Sequence, residues 1–151
     1  MKFKSEGGFL IAKIHQLAGR IFTRKLKEYG IEINPAQGRI MFVLWRNDNI
    51  SINELAKQTS LGKSTLTSML DRLEETGYIM RVPSKEDRRK IKIKRTKKDK
   101  AFQDLYVQVS QNMNDLYLQG FSESEIRQFE EYLRRIFDNL TKYEEGILAK
   151  G

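Results

Sequence analysis

The residues best placed to do chemistry in this sequence are cations and small hydroxyls. Between Arg81 and Lys100 (RVPSKEDRRKIKIKRTKKDK) lie eleven of the chain's 28 Lys and Arg residues and three of its 20 Asp and Glu residues. Seventeen of each sign remain elsewhere, so the whole net charge of +8 sits in that one segment. Scattered charges merely solvate a surface, whereas a localised cationic stripe suits contact with a phosphate backbone. Inside it, Lys90-Ile91-Lys92-Ile93-Lys94 alternates with period two and reads as a strand. Lys85, Arg88 and Arg89 fall at or beside a polar tip, Ser84 to Arg89, that follows Pro83. Long cationic side chains there can reach phosphates or enter the negative potential of a narrow minor groove. Asp87 can form the turn and also hold a neighbouring guanidinium in a fixed direction.

The second group lies just upstream. From about Lys63 to Glu75 the sequence reads as a helix with Leu66, Met69, Leu70 and Leu73 on one face. Lys63, Ser64, Thr67, Ser68, Asp71 and Arg72 occupy the other. An ordinary solvated helix face is richer in Glu and Lys pairs. These short hydroxyls between basic ends can approach base edges without holding the helix out of a major groove, which is wide enough to admit it.

Other chemistries lack their residues. There is no cysteine, which excludes disulfides, thiolate metal sites and thiol redox sensing, and His15 is the single histidine. No phosphate-binding glycine loop or plausible pair of catalytic carboxylates accompanies it, so no enzyme, metal site or cofactor is expected. A winged module for single strands or for protein partners is the rival binding reading. Single strands favour stacking aromatics, and neither the tip nor the helix face carries one. No apolar run reaches the ~18 residues of a membrane span. The stretch MKFKSEGG lacks the features of a secretory leader, and a cytoplasmic location is expected.

The elements that position these groups follow from capping and periodicity. A first helix spans about Gly8 to Tyr29, with Leu10, Ile14, Leu17, Ile21 and Phe22 at helical spacing and Gly30 as its stop. Asn34-Pro35 with Gln37 opens a second, carrying Ile40, Met41, Val43, Leu44 and Trp45. Ser51 with Glu54 opens a short third. The helix from Lys63 is stopped by Gly77, and a strand from Tyr78 to Val82 leads to the basic tip and the returning strand. Thr96 with Asp99 caps a helix bearing Phe102, Leu105, Val109, Met113 and Leu116, which stops at Gly120. Ser122 with Glu125 caps the last helix, with Phe121 and Ile126 as a hydrophobic staple. Its stripe Ile126, Phe129, Leu133, Ile136, Leu140, Tyr143, Ile147 is an a/d seam over three heptads. That seam exceeds what a core of this size needs, and the first helix is apolar on more than one side. Both point to a homodimer.

Several motifs together resemble those of the MarR family of regulators. Asn34-Pro35-Ala36-Gln37 is similar to the opening of that family's second helix. Leu73-Glu74-Glu75-Thr76-Gly77-Tyr78-Ile79-Met80-Arg81 resembles the exit from its recognition helix. Asp87-Arg88-Arg89 with Ile93 and Thr96 matches its wing signature, with Arg95 standing where Leu is usual and Asn34 where Thr is usual. The resemblance implies a mainly α fold with a small β-hairpin wing, a winged helix-turn-helix core flanked by N- and C-terminal dimerisation helices. It implies a single domain over 1–151, with a DNA-binding lobe at about 34–96 and dimerisation helices at about 8–30 and 97–150. By position, Arg89 would enter the minor groove with Asp87 as its holder, and Ser64, Thr65, Thr67, Ser68 and Arg72 would face the major groove. The function implied is a repressor binding a pseudo-palindromic double-stranded operator, relieved by a small anionic or aromatic effector. His15 and Arg20, beside Gly19, are the candidate effector contacts.

Overall fold

In the computed structural model, which describes residues 2 and 4–150, nine elements are ordered α1 to α6 with three short strands interleaved. Two residues of the stretch read for a leader, at positions 1 and 3, lie outside the described residues. Helix α1 (Gly7–Glu28) ends where Gly30 adopts φ +77°. Gly30 N–H donates to Lys27 O and Ile31 N–H to Leu26 O, the pair of bonds with which a left-handed residue closes a helix. Helix α2 (Pro35–Arg46) opens on a complete capping box. Gln37 N–H donates to the Asn34 carboxamide oxygen and Asn34 N–H to Gln37 Oε1, both at 2.8 Å.

The expected wing hairpin is present, and a third short strand joins it to make a three-stranded sheet. The Asp48 carboxylate accepts from Asn49 N–H at 2.8 Å and from Arg95 N–H at 2.9 Å, and Asn49 turns the chain with φ 57°. This lays β1 (Ile50–Ser51) antiparallel on the returning strand, Ile50 opposite Ile93. Two residues carry no periodicity from which a strand could be read. Ser51 then caps α3 (Ile52–Thr59) by accepting from Glu54 N–H. The Glu54 carboxylate accepts from Gln58, so the expected box is half formed.

Helix α4 (Lys63–Glu75) stops at Gly77, φ +86°, and leads into β2 (Ile79–Pro83) and β3 (Ile91–Arg95). The sheet order is β1-β3-β2, with Arg81 opposite Ile93. Leu66, Leu70 and Leu73 of α4 are fully buried with Leu26, Ile40, Met41, Leu44, Leu55, Ile79 and Ile93. Each such leucine contributes about 1.5–3 kcal/mol relative to exposure, and three on one face fix which face of α4 remains outside.

Helix α5 (Asp99–Tyr117) begins differently from its predicted cap. Thr96 Oγ1 donates to Gly77 O, across to the end of α4. Asp99 turns inward and is 1% exposed. Its carboxylate accepts from Arg95 Nε at 2.9 Å, Arg95 Nη2 at 3.1 Å and Trp45 Nε1 at 3.0 Å. A buried carboxylate requires such donors; the Thr-x-x-Asp spacing looks like a cap, but the donors arrive from outside it. Tyr106 packs edge-on to Phe22 and Trp45 and against Gly38 of α2, where an added Cβ would meet the Tyr106 hydroxyl.

These elements up to Met113 form one compact unit, and Asn114–Gly151 forms a second. In the second, Gly120 takes φ +84°, and Ser122 and Glu125 make a reciprocal capping box at 2.8 and 3.1 Å that opens α6 (Glu123–Lys150). Phe121, expected to staple Ile126, sets its ring 6.3 Å from that of Phe129. No residue of α6 is buried, and Phe129, Leu133, Ile136, Leu140, Tyr143 and Ile147 all stand exposed. None of the helices among the described residues is long and apolar enough to cross a membrane.

Candidate nucleic-acid interface

The burial of three leucines turns the rest of α4 outward. Lys63, Ser64, Thr65, Thr67, Ser68 and Arg72 are all exposed. Lys63, Ser64, Thr67 and Ser68 line one open depression together with Asp71. Thr67 Oγ1 donates to Lys63 O at 2.9 Å. Its proton is therefore spent within the helix, and it presents a methyl group and an acceptor outward. Met69, at the edge of the buried face, accepts from the Asn34 carboxamide nitrogen, which ties α4 to the start of α2.

Arg81 of β2 fastens the helix to the wing. Its Nη2 donates to Asp71 Oδ1 at 2.7 Å, its Nη1 to Glu74 Oε1 at 2.6 Å, and its backbone N–H to Glu74 Oε2 at 3.0 Å. Burial alone would lower the pKa of this guanidinium. Hydrogen bonds and charge from Asp71 and Glu74 outweigh burial and raise it. The positive charge is permanent, and it partly neutralises Asp71.

The wing tip is organised by Ser84, a residue the sequence reading placed only in the turn. It is buried, and its hydroxyl accepts from Glu86 and Asp87 N–H at 3.3 and 3.4 Å. Ser84 N–H donates to Lys90 O, and Lys90 N–H to Asp87 O, at 2.9 Å each. On this frame Asp87 Oδ1 accepts from Arg89 N–H at 3.1 Å and from Arg89 Nε at 3.2 Å. These two bonds, the backbone one first, hold the Asp87 carboxyl below its usual pKa. The Arg89 side chain is 91% exposed, so Asp87 directs it without covering it. Lys85 and Arg88 are exposed beside it.

The first helix carries a separate cluster. His15 and Arg20 line an open depression with Gly19, Arg24, Lys27 and Pro35, a strongly basic lining. The structure thus brings the predicted residues together in three groups: the α4 face, the wing tip, and this surface of α1.

The family profile described as MarR family matches residues 33–91, the segment that builds α2 through the start of β3. Over that segment the chain matches the MarR family. It is a MarR-type transcriptional regulator. Over 132 residues it is 24% identical to the HTH-type transcriptional repressor IacR of Pseudomonas putida, covering 87% of this chain and 78% of that one. Its fold superposes on the transcriptional regulator SlyA with a TM-score of 0.82, at 26% identity over 95% of this chain and 99% of that one. Mutant MarR from E. coli, complexed with operator DNA, superposes with a TM-score of 0.76 at 26% identity, over 85% and 91% of the two chains.

Within this MarR-family frame the Arg95 departure gains a physical reason. Its guanidinium grips Asp99 with two bonds and donates from Nη2 to Gln103 Oε1 at 2.7 Å. The charge introduced at the strand end is thereby paired. Arg81, Glu74 and Ser84 were not singled out as site residues from sequence, and Asp99 was read only as the capping partner of Thr96. Glu74 and Arg81 carried the available signal, since both stand in the helix-exit motif that resembles the family's.

Proposed function

We propose that this MarR-type regulator acts in the cytoplasm as a homodimeric repressor of a pseudo-palindromic double-stranded operator, and that the whole of 1–151 serves as one MarR-like domain. Each subunit presents α4 to a major groove and the wing tip to the flanking minor groove. Lys63, Ser64, Thr65, Thr67, Ser68 and Arg72 are the major-groove set; Lys85, Arg88 and Arg89, with Asp87 as holder, are the wing set. The observation that carries this reading is the placement of charge. The entire excess of +8 lies in Arg81–Lys100, and the exposed Arg89 at its tip is aimed by Asp87. The operator complex of E. coli MarR and the repressor name of IacR support it. The apolar residues exposed on α1, and separately those exposed on α6, each offer a surface to a second copy.

A small anionic or aromatic effector that relieves repression is part of the same proposal. The basic depression around His15 and Arg20 is the site offered for it, and no other cofactor is invoked. An effector bound there favours dimer states whose lobes no longer match the groove spacing, and DNA must then weaken the effector equally.

A two-fold dimer with one reading helix per subunit requires half-site centres about 10–10.5 bp apart or a multiple of that. The test is to insert about 5 bp between the half-sites of a duplex selected by the protein, which places them on opposite faces. Tight binding should be abolished. Unchanged affinity would mean the subunits read DNA independently.

A further inference from the structure

An anion in the middle of a polyanion-binding face needs a reason. Asp71 lies one turn beyond Thr67 and Ser68 in the same depression as Lys63 and Ser64, and its side chain is 58% exposed. A role as the counter-ion of Arg81 does not require it. Glu74 already meets Arg81 with two bonds, one to the guanidinium and one to the backbone N–H, and a further exposed ion pair adds about 0–1 kcal/mol.

The arrangement has a second consequence. Arg81 takes only Oδ1 of Asp71; among the described residues no donor reaches Oδ2. The bond to Arg81 fixes the carboxylate's direction and offsets its charge, while the second oxygen stays outward with acceptor capacity only. Base edges differ in how they meet such a group. In the major groove cytosine offers its N4 amino donor. Adenine offers a donor beside an acceptor, guanine offers two acceptors, and thymine offers an acceptor and a methyl. A pinned carboxylate attracts the first and is repelled by the lone pairs of guanine and thymine.

We infer that Asp71, aimed by Arg81, is a specificity-determining residue that selects cytosine and rejects guanine at one position of each operator half-site. This rests on the DNA-binding reading above. Arg81 acts here as a positioning residue.

The experiment is selection from a duplex pool with a randomised centre, by the full-length protein and by Asp71→Ala and Asp71→Asn. Both substitutions are at an exposed site, and thermal melts followed by circular dichroism establish that the variants are folded. Wild type should return a two-fold motif with cytosine preferred over guanine roughly tenfold at one position per half-site, the lower part of the range for a direct base contact. Asp71→Ala should flatten that position and leave the others. Asp71→Asn should shift it to adenine, which asparagine reads with paired donor and acceptor. Both variants should bind unrelated duplex more tightly, having lost a negative charge facing phosphates. The inference is overturned if both variants return the wild-type motif, or if Asp71→Asn retains cytosine at that position, since Asp71 would then act only through Arg81. If wild type itself selects no duplex motif, the DNA-binding reading falls, and this inference with it.

Discussion

Helices α4 and α6 are built from opposite surfaces. The first has 13 residues, of which three leucines are fully buried, and it exposes hydroxyls and cations. The second has 28 residues, none buried, and it exposes a stripe of large apolar side chains. Packing within the chain accounts for the inward face of α4 and leaves a polar face that gains nothing from covering by apolar surface. For α6 the reverse holds: its stripe gains from contact only if something apolar meets it. One chain therefore carries two unfinished surfaces of different chemistry, one suited to a polyanion and the other to another apolar helix.

The largest effect should come from attacking that contrast directly. Leu133→Glu with Ile136→Glu places two charges in the α6 stripe, where burial against a partner would strand them without ion pairs. Sedimentation at micromolar concentration should fall from twice the 17.7 kDa chain mass to that mass itself, and operator binding should go with it. Ser64→Glu with Ser68→Glu on α4 should abolish operator binding and leave the mass doubled. If the α6 variant still sediments as a dimer, the stripe is not the partner surface.

Next in size is the lobe's internal ion pair, which has no counterpart on α6. Arg95→Ala strands a carboxylate that is 1% exposed with the Trp45 N–H as its remaining donor. Removing one partner of such a pair costs about 3 kcal/mol, read as a lower urea midpoint. Asp99→Ala should cost less. Arg95 is 24% exposed and keeps Gln103, so water can reach what is left unpaired. Equal losses for the two variants would show that Asp99 is not held as a buried anion.

Legibility of the sequence follows the same division between local and distant causes. Wherever a boundary is set within four residues, the sequence reveals it: Asn34 with Gln37, Ser122 with Glu125, and the left-handed Gly30 and Gly77. The outward residues of α4 were legible because their inward partners recur at helical spacing. What escaped depends on partners far along the chain. Strand β1 exists because Asp48 meets Arg95, 47 residues on. Asp99 abandons its apparent cap for Trp45, 54 residues back. The Arg81 clasp spans seven and ten residues across a turn, beyond any helical or strand period.

A smaller effect separates the wing from α4. Arg89→Ala removes one exposed cation, so affinity should fall for all duplexes alike. The slope of log K against log salt should become less negative by about one. Substituting Thr67 or Ser68 should instead change which sequences bind, at about 1–3 kcal/mol per lost base contact. An Arg89→Ala protein with unchanged affinity and slope would remove the wing from the interface.

The smallest effect concerns two carboxylates, the half-buried Asp87 and the exposed Glu125, that play the same part in the two regions. Asp87 at the wing tip is held below its usual pKa first by the Arg89 backbone N–H and then by the Arg89 guanidinium. Glu125 at the start of α6 is held below its usual value by the backbone N–H of Ser122, with the Ser122 side chain adding to it. A carboxyl lowered in the folded state favours folding above its unfolded pKa, about 3.9 for Asp and 4.3 for Glu. That contribution is lost as pH falls through the lower, folded value. Neither the tip nor the cap should therefore change between pH 8 and pH 5. The amide resonances of Arg89 and Ser122, followed by NMR as pH is lowered, should move only in the acid range, each with its midpoint below the unfolded value. Asp87→Asn should remove the Arg89 transition and leave that of Ser122 in place. A midpoint for Arg89 at or above about 3.9 would mean that Asp87 does not hold the arginine, and the wing would present Arg89 undirected.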